Sequence, residues 1–276
     1  MQIQDKIVVI TGATSGLGQA VAIDFAQAGA RVFIVGRDAA RAAETRERAG
    51  ANAEVVIGDV STRAGVKSVA DAILARTSKI DVLVNNAGGT FKQLSRTADD
   101  IETTFALNTF GPFLLERALH GALVAAHGRV VNLATGFLDR FPIADVDELV
   151  APKKYSGLGQ YGRVKLASVM MTVEQAERYR DEGVTATALH PGIIMGTRFG
   201  GGQPKWQQAI GGPIMRAFGL ACTLDEAVRR FRVACFGEVP SGSYIVKGEP
   251  VRLPKQSSDP AMRARVVARL EQLANA

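Results

Sequence analysis

The stretch KIVVITGATSGLGQAVAIDFAQAGARVFIVGRD, residues 6–38, decides the fold. It begins with a short β-branched run, passes through a glycine-rich turn and continues as a helical segment from about Leu17 to Gly29. A second apolar run, RVFIVG, follows at residues 31–36. A strand, a helix and a strand in this order predict two parallel strands joined by a right-handed crossover.

Further apolar runs continue this alternation along the chain. They lie at residues 53–58, 80–85, 128–134, 184–190 and 242–248. Runs that are apolar on both faces are typical of a parallel sheet covered by helices on each side. The sequence therefore predicts an α/β fold, a doubly wound parallel sheet of about seven strands with helices on both faces.

Composition excludes several functional classes. The 276 residues are 47% hydrophobic and 22% charged, no linker divides them, and no apolar run reaches the roughly 18 residues of a membrane span. The amino terminus enters a strand almost at once, which leaves no room for a signal peptide and predicts a cytoplasmic location. The net charge of +6 comes from basic residues interleaved with acids, so we expect no nucleic-acid partner.

The cysteines and histidines show no metal-binding pattern. Cys222 and Cys235 form no CxxC pair, and His120, His127 and His190 are scattered along the chain. We therefore expect no metal site and structural roles for all three histidines.

The first turn, TGATSGLG, carries Gly12, Gly16 and Gly18 into the following helix. Such glycines allow a pyrophosphate to approach the backbone, and the free N–H groups of a helix start favour its charge. We expect this turn to bind a dinucleotide; the alternative is an ordinary tight turn between strand and helix. The whole predicted loop is Gly12, Thr14, Ser15, Gly16, Leu17 and Gly18.

The second strand ends in VGRD, with Gly36 where NAD-binding sites commonly place an acid. Arg37 follows, and its guanidinium offers several donors to a 2′-phosphate. This favours NADP(H), with NAD(H) as the weaker alternative, because Ser15 is neutral where a second base would strengthen the preference. The plain alternative is that Arg37 is an ordinary loop charge.

Two more strand ends carry candidate cofactor residues. In GDV, Asp59 precedes Val60 and is placed to accept from an adenine amino group, or else to cap the next helix. In NNAG, Asn86 can tie neighbouring strand ends, while Ala87 and Gly88 leave room for a cofactor.

Tyr161 and Lys165 lie four residues apart in YGRVK, on one face of a predicted helix. A tyrosine titrates near 10, so it exchanges a proton at neutral pH only if a cation stabilises the phenolate. Lys165 supplies that cation. Tyr155 is an alternative candidate for this role, but the residue four positions after it is Gly159 and not a lysine, so we exclude it.

Taken together, these motifs resemble the short-chain dehydrogenase/reductase family. TGATSGLG, NNAG, Asn108 in ALNTFGP, RVVNLAT, the Tyr161–Lys165 pair and HPG at residues 190–192 occur in the family's order over essentially the full length. The resemblance implies a single Rossmann-type domain over residues 1–276, a nicotinamide cofactor, and hydride transfer to a carbonyl or from an alcohol.

The resemblance also implies roles for individual residues. Tyr161 is the general acid/base, and Lys165 lowers its pKa and holds the nicotinamide ribose. Asn108 supports the lysine through a water. Family relatives assemble as homodimers or homotetramers through the helices that bear Asn108 and Tyr161, and we expect the same here.

The chain departs from the family at the end of the strand VVNLAT. Counting three residues from Asn132, as in the family's N-x-S-S pattern, places Thr135 on the catalytic serine. A threonine keeps the hydroxyl, but its extra methyl group stiffens χ1. The alternative is a strand end that no longer serves catalysis.

A second departure is the long interval of 26 residues between Thr135 and Tyr161. The insertion within it resembles the retinol dehydrogenase-like branch of the family. Some members of that branch are anchored in membranes; we expect no anchor here.

The substrate side follows the sixth strand. Pro191, Gly192, Ile194 and Thr197 are expected near the nicotinamide carboxamide, although Thr197 stands six residues after the proline where five is common. Residues 193–220 are predicted to form a lid with glycine hinges, or else an ordinary packed face. Its apolar lining favours an apolar ketone, aldehyde or alcohol.

The sequence thus predicts an NADP(H)-dependent oxidoreductase. Two alternatives stay open: a catalytically impaired sensor that binds NADPH, and a non-redox dehydratase, isomerase or cyclase that uses Tyr161 for acid/base chemistry.

Overall fold

The computed structural model describes residues 2–194 and 221–276. The strands are β1 Ile7–Thr11, β2 Arg31–Gly36, β3 Ala53–Ile57, β4 Val82–Asn85, β5 Arg129–Leu133, β6 Thr185–His190, β7 Ile193–Ile194, β8 Ala221–Cys222, β9 Tyr244–Val246 and β10 Glu249–Val251. The helices are α1 Gly16–Gln27, α2 Ala39–Ala49, α3 Arg63–Leu74, α4 Thr103–Phe105, α5 Gly111–Val124, α6 Asp147–Val150, α7 Gly157–Arg178, α8 Leu224–Phe236 and α9 Pro260–Asn275.

The main sheet has the strand order β10-β9-β6-β5-β4-β1-β2-β3. Seven of its strands, β1 to β6 and β9, pair in parallel, as the sequence predicts. The eighth strand, β10, pairs antiparallel with β9 and was not predicted, because the run EPV is short and exposed. Two further short strands, β7 and β8, form a separate parallel pair.

Alternating side chains of the strands fill two cores, one on each face of the sheet. On one face, Val8 and Ile10 pack with Phe25 of α1 and Phe231 of α8. On the other, Val9 packs with residues of α3 and α5. From β1, the sheet continues through β2 and β3 on one side and through β4, β5 and β6 on the other. A crevice therefore opens at the carboxyl ends of β1 and β4, where ligands bind in open α/β sheets.

The carboxyl-terminal helix α9 packs along α7. Met262, Val266 and Leu270 of α9 join a core cluster with residues of α5 and α7. Arg263 is buried there, with Nε 2.7 Å from Glu174 and Nη2 3.0 Å from Glu177. The outer surface of α7 is consequently occupied by this chain's own helix.

The insertion after β5 is tied to the segment that leads into α9. The backbone N–H of Lys255 donates to Asp139 at 2.7 Å. Ile143 and the Gln256 side chain exchange two hydrogen bonds, at 2.8 and 3.0 Å. The insertion contains a 3₁₀ turn, Leu138–Arg140, and the short helix α6, and is therefore an ordered part of the fold.

Candidate active site

The glycine turn after β1 is as tight as the sequence predicts. Gly12 has φ +65°, and a Cβ there would lie 2.8 Å from Ala87 Cα. A Cβ on Gly18 would lie 2.4 Å from the Gly12 carbonyl oxygen. Side chains are excluded from both positions, so backbone alone faces the crevice.

The start of α1 keeps its N–H groups available. Its N-cap, Ser15, makes no side-chain capping bond, and the first turn carries no acidic residue. An uncapped helix start is a favourable place for an anion. Thr14 lies against the end of β2, where a Cβ on Gly36 would meet its methyl group, and Leu17 packs on the core beneath α1.

Asn86 ties the ends of β1 and β4 together. Its Nδ2 donates to the carbonyls of Thr11 and Gly12, at 2.9 and 3.2 Å. The Ala87 N–H donates to the Thr11 hydroxyl at 3.0 Å. These bonds hold the floor of the crevice at the point where Ala87 and the glycine turn meet.

The far end of the crevice carries Arg37 and Asp59. The Arg37 guanidinium lies 3.3 Å from Asp59 Oδ2 and keeps 68% of its side chain exposed. Burial disfavours the Asp59 carboxylate, but hydrogen bonds from Ser61 together with Arg37 outweigh it and lower the pKa. The N-cap of α3 is Thr62, not Asp59, and Val60 is buried below.

Tyr161, Thr135 and Lys165 meet at the end of β5. The Thr135 side chain lies close enough to the Tyr161 hydroxyl to lower the pKa of that group. Lys165 Nζ donates to the Leu133 carbonyl at 2.7 Å and lies 5.9 Å from the centroid of the Tyr161 ring. Tyr161 and Lys165 are 8% and 2% exposed, so the cluster is dry.

Burial governs the proton affinities of this pair. It raises the pKa of Tyr161 far above its ordinary value, against the effect of the Thr135 hydrogen bond. It lowers the pKa of Lys165 to about 7. Desolvation thus disfavours both charged forms, and a tyrosine pKa lowered by Lys165 stays a prediction.

Asn108 lies in a π-helical segment, Ala106–Phe110, between α4 and α5. Its Nδ2 donates to the carbonyls of Gly89 and Thr104, at 2.9 and 2.8 Å. A Cβ on Gly88 would lie 2.6 Å from Asn108 Oδ1 and 3.6 Å from Lys165 Nζ. Gly88 therefore lets the amide and the ammonium group approach each other.

Tyr155, the excluded candidate, serves a different set of contacts. Its hydroxyl donates to the Phe91 carbonyl at 2.9 Å and lies 3.2 Å from the Thr104 hydroxyl. Both contacts are structural, between the insertion and the segments that precede α5.

The residues after β6 are placed only in part. The Pro191 carbonyl accepts from Arg230 at 2.7 Å and from the Cys222 thiol at 3.3 Å, and Gly192 has φ +103°. Ile194 pairs with Cys222 between β7 and β8. Thr197 and most of the predicted lid lie outside the described residues.

Two residues of this region escaped the sequence analysis. Tyr244 donates its hydroxyl to the Thr135 carbonyl at 2.6 Å, and Arg230 holds Pro191. The run SGSYIVKG indicates only a strand, and the sole available signal for Tyr244 was a hydroxyl inside an otherwise apolar strand.

Within residues 2–194 and 221–276, no group of three or more His, Cys, Asp or Glu side chains is arranged to hold a metal ion. Over the same ranges, no helix combines the length and apolarity needed to cross a membrane.

Comparison with known proteins shows which sequences and structures this chain is similar to. The family described as short chain dehydrogenase matches residues 6–141. Mouse retinol dehydrogenase 12 is 37% identical over 203 residues, covering 71% of this chain and 63% of the relative. The putative daunorubicin C-13 ketoreductase DnrU of Streptomyces sp. (strain C5) is 36% identical over 202 residues, covering 71% of this chain and 68% of the relative.

A solved structure from Mycobacterium paratuberculosis, described as a putative uncharacterized protein, has the same fold. It superposes with a TM-score of 0.77 at 26% identity and covers 99% of this chain and 95% of its own. The alignments with the retinol dehydrogenases span under two thirds of those proteins.

Proposed function

Because the chain belongs to the short-chain dehydrogenase/reductase family, in its retinol dehydrogenase-like branch, we propose that it is an NADP(H)-preferring oxidoreductase. It interconverts an apolar ketone or aldehyde with the corresponding alcohol. The observation that carries this proposal is the buried cluster in which Lys165 lies 5.9 Å from the centroid of the Tyr161 ring and the Thr135 side chain is close enough to lower the pKa of Tyr161.

In the reductive direction, Tyr161 is the proton donor. The phenol is protonated at neutral pH, as a proton donor must be, but burial raises its pKa and so makes it a weaker acid until a cation stabilises the phenolate. Thr135 offers its hydroxyl hydrogen to the carbonyl oxygen as negative charge develops there. In its protonated form, Lys165 provides the nearby cation that favours the phenolate left after proton transfer.

The crevice fits a nicotinamide dinucleotide. At Gly12 and Gly18 there is no room for a side chain, so only backbone faces the crevice. The uncapped start of α1 favours the negative charge of a pyrophosphate. When bound, the cofactor supplies the hydride for the carbonyl carbon. We assign Asn86, Ala87 and Gly88 to the wall of its site, and Tyr161, Lys165, Pro191 and Gly192 to the nicotinamide end.

The preference for NADP(H) rests on Arg37. Its guanidinium is exposed at the end of β2, and one nitrogen contacts Asp59, which leaves other donors for a 2′-phosphate. NAD(H) remains the weaker alternative, since the contact with Asp59 neutralises part of the charge of Arg37.

An apolar substrate is supported by exposed apolar side chains that are close in sequence to the catalytic residues. Phe137 and Leu158 are 56% and 68% exposed, two residues after Thr135 and three before Tyr161. The names of the relatives, retinol dehydrogenase 12 and a putative daunorubicin C-13 ketoreductase, agree with such a substrate. We therefore propose a hydrophobic carbonyl compound and not a sugar.

For assembly, the family resemblance predicts contacts through the helices that bear Asn108 and Tyr161. α9 lies on α7 with Arg263 buried between them. We therefore propose that this chain does not self-associate through the outer face of α7. Sedimentation equilibrium of the whole chain, combined with cross-linking at α7, tests this. A self-associated species that can be cross-linked through α7 would contradict the proposal. A cytoplasmic location stays a prediction.

The activity is tested by Tyr161→Phe. NADPH oxidation is followed by absorbance against retinal, benzaldehyde, a long-chain aldehyde and a steroid ketone. The variant should lose turnover and keep the wild-type dissociation constant for NADPH, because only the transferable proton is removed. Retained turnover would overturn the assignment of Tyr161.

Two outcomes for the wild type favour the alternatives. NADPH binding without oxidation by any carbonyl indicates a sensor. A product that forms without a change in nicotinamide absorbance indicates a non-redox enzyme.

A further inference from the structure

Tyr244 reaches past β6 to Thr135, in the loop that follows β5. It lies on β9, is 6% exposed, and pairs in register with Ala188 of β6. Its hydroxyl donates to the backbone carbonyl of Thr135 at 2.6 Å, although the two residues are 109 positions apart. A buried tyrosine hydroxyl normally has such a partner, and here the partner belongs to the active site.

The backbone at Thr135 has just left the sheet. Ala134 is still held by the sheet, since its N–H donates to Leu189 at 2.8 Å. Two residues after Thr135, Phe137 has φ +60°, a left-handed conformation that is uncommon for a side chain of its size. Tyr244 thus fixes the peptide group at the position where the chain changes direction.

The direction of this peptide group sets the direction of the catalytic hydroxyl. Threonine is stiff at χ1, because two heavy atoms on Cβ restrict its rotamers. Its hydroxyl therefore follows the backbone more closely than the hydroxyl of a serine, which turns more freely. The Thr135 side chain must point to Tyr161 to act there. The orientation of the Thr135 backbone carbonyl decides whether the side chain points in that direction.

We propose that Tyr244 is a positioning residue, which holds the Thr135 carbonyl so that the stiff threonine side chain presents its hydroxyl to Tyr161 and the substrate. The inference rests on the proposed function. Because residue 135 is a stiff threonine where the family has serine, catalysis depends on Tyr244.

Other contacts keep the effect of removing this hydroxyl local. The loop stays attached through Asp139 and Ile143, which bond to Lys255 and Gln256. Burial, followed by the charge of Asp139, raises the pKa of Tyr244 to about 12, so the hydroxyl remains a donor across the working pH range. Tyr244→Phe should therefore loosen one peptide group within an intact loop.

The test is a double-mutant cycle with the panel carbonyl that the wild type reduces fastest. Tyr244→Phe should lower kcat about tenfold, with KM and the dissociation constant for NADPH nearly unchanged. In the Thr135→Ser background the fall should be smaller, about threefold or less. In the Thr135→Ala background kcat should not fall further, since no hydroxyl remains to be positioned.

Tyr179→Phe is the matched control. It removes another buried tyrosine hydroxyl, one that contacts Glu116 at 3.1 Å between α5 and α7, and it should leave kcat unchanged. All rates are divided by the concentration of NADPH-binding sites, so that loss of folded protein does not count as loss of turnover.

Either of two results overturns the inference: an unchanged kcat in Tyr244→Phe, or an equal fall in the Thr135 and Thr135→Ala backgrounds, which would mean a merely structural role. Tyr161→Phe is measured in parallel. If Tyr161→Phe retains activity, the proposed function fails; if it is inactive while Tyr244→Phe has no effect, only the positioning role fails.

Discussion

The nucleotide end and the chemical end of the site differ in their exposure to solvent. At the nucleotide end, Arg37 keeps 68% of its side chain exposed and Asp59 keeps 37%. At the chemical end, Lys165 is 2% exposed and Tyr161 is 8% exposed. Exposed ion pairs contribute little to stability, whereas buried ionisable groups undergo large pKa shifts.

This difference separates two tasks. The nucleotide end can recognise its ligand by backbone shape and by donors that water already surrounds. The chemical end changes the proton affinity of its side chains because water is excluded. Substitutions at the first end should therefore affect cofactor affinity, and substitutions at the second should affect turnover or pH dependence.

The largest effect is expected at Thr135. Thr135→Ala removes a hydroxyl that touches Tyr161, and should lower kcat by roughly 10²- to 10³-fold, as loss of a single transition-state donor does elsewhere. Steady-state kinetics with NADPH measures it. Thr135→Ser should preserve or raise activity, and a harmless alanine would show that the hydroxyl is only a strand end.

Gly18→Ala should be the most damaging change at the nucleotide end. Its Cβ would lie 2.4 Å from the Gly12 carbonyl, so the turn must shift, at a cost of about 1–3 kcal/mol in unfolding free energy. NADPH affinity, measured by fluorescence titration, should fall with it.

The control for this change is Gly121→Ala in α5, where nothing lies within 4 Å of the added atom. It should stabilise the fold by about 1 kcal/mol, as alanine does in a helix. Equal NADPH affinities for the two variants would contradict the tight-turn interpretation.

The pH dependence of stability should be concentrated at the chemical end. Burial, followed by the charge of Arg230, lowers the pKa of His190 to about 4. The unfolded chain takes up a proton near pH 6.5 and the folded chain does not, so stability is lost as the pH falls from 6.5 towards 4.

Between pH 7 and pH 5 this group should remove about 2 kcal/mol from the unfolding free energy, measured by urea denaturation. His190→Gln should flatten that dependence, while His127→Gln, at an exposed position, should not. A parallel loss in wild type and His190→Gln would exclude this histidine as the cause.

The smallest effect is expected at Arg37. Arg37→Ala should weaken NADPH binding about tenfold, which corresponds to about 1.4 kcal/mol, and leave NADH binding unchanged. Isothermal titration with both cofactors measures the ratio. Arg48→Ala, at the other end of α2, is the control, and an equal loss for both cofactors would remove the basis for an NADP(H) preference.

Much of this protein is already determined by its sequence. The seven parallel strands follow from apolar runs and their spacing, and the turn at Gly12 follows from residues that are adjacent in the chain. The Tyr161–Lys165 pair follows from helical periodicity, which brings residues four apart to one face. These are local properties, because each depends on a few neighbouring residues.

The tertiary structure decided the rest. It brought Tyr244 to Thr135, laid α9 against α7, and added β10 to the sheet. It also set the pKa of Lys165 near 7, where spacing alone predicted an ordinary cation. Contacts between segments a hundred residues apart and the exclusion of water both depend on the path of the whole chain, which no local pattern records.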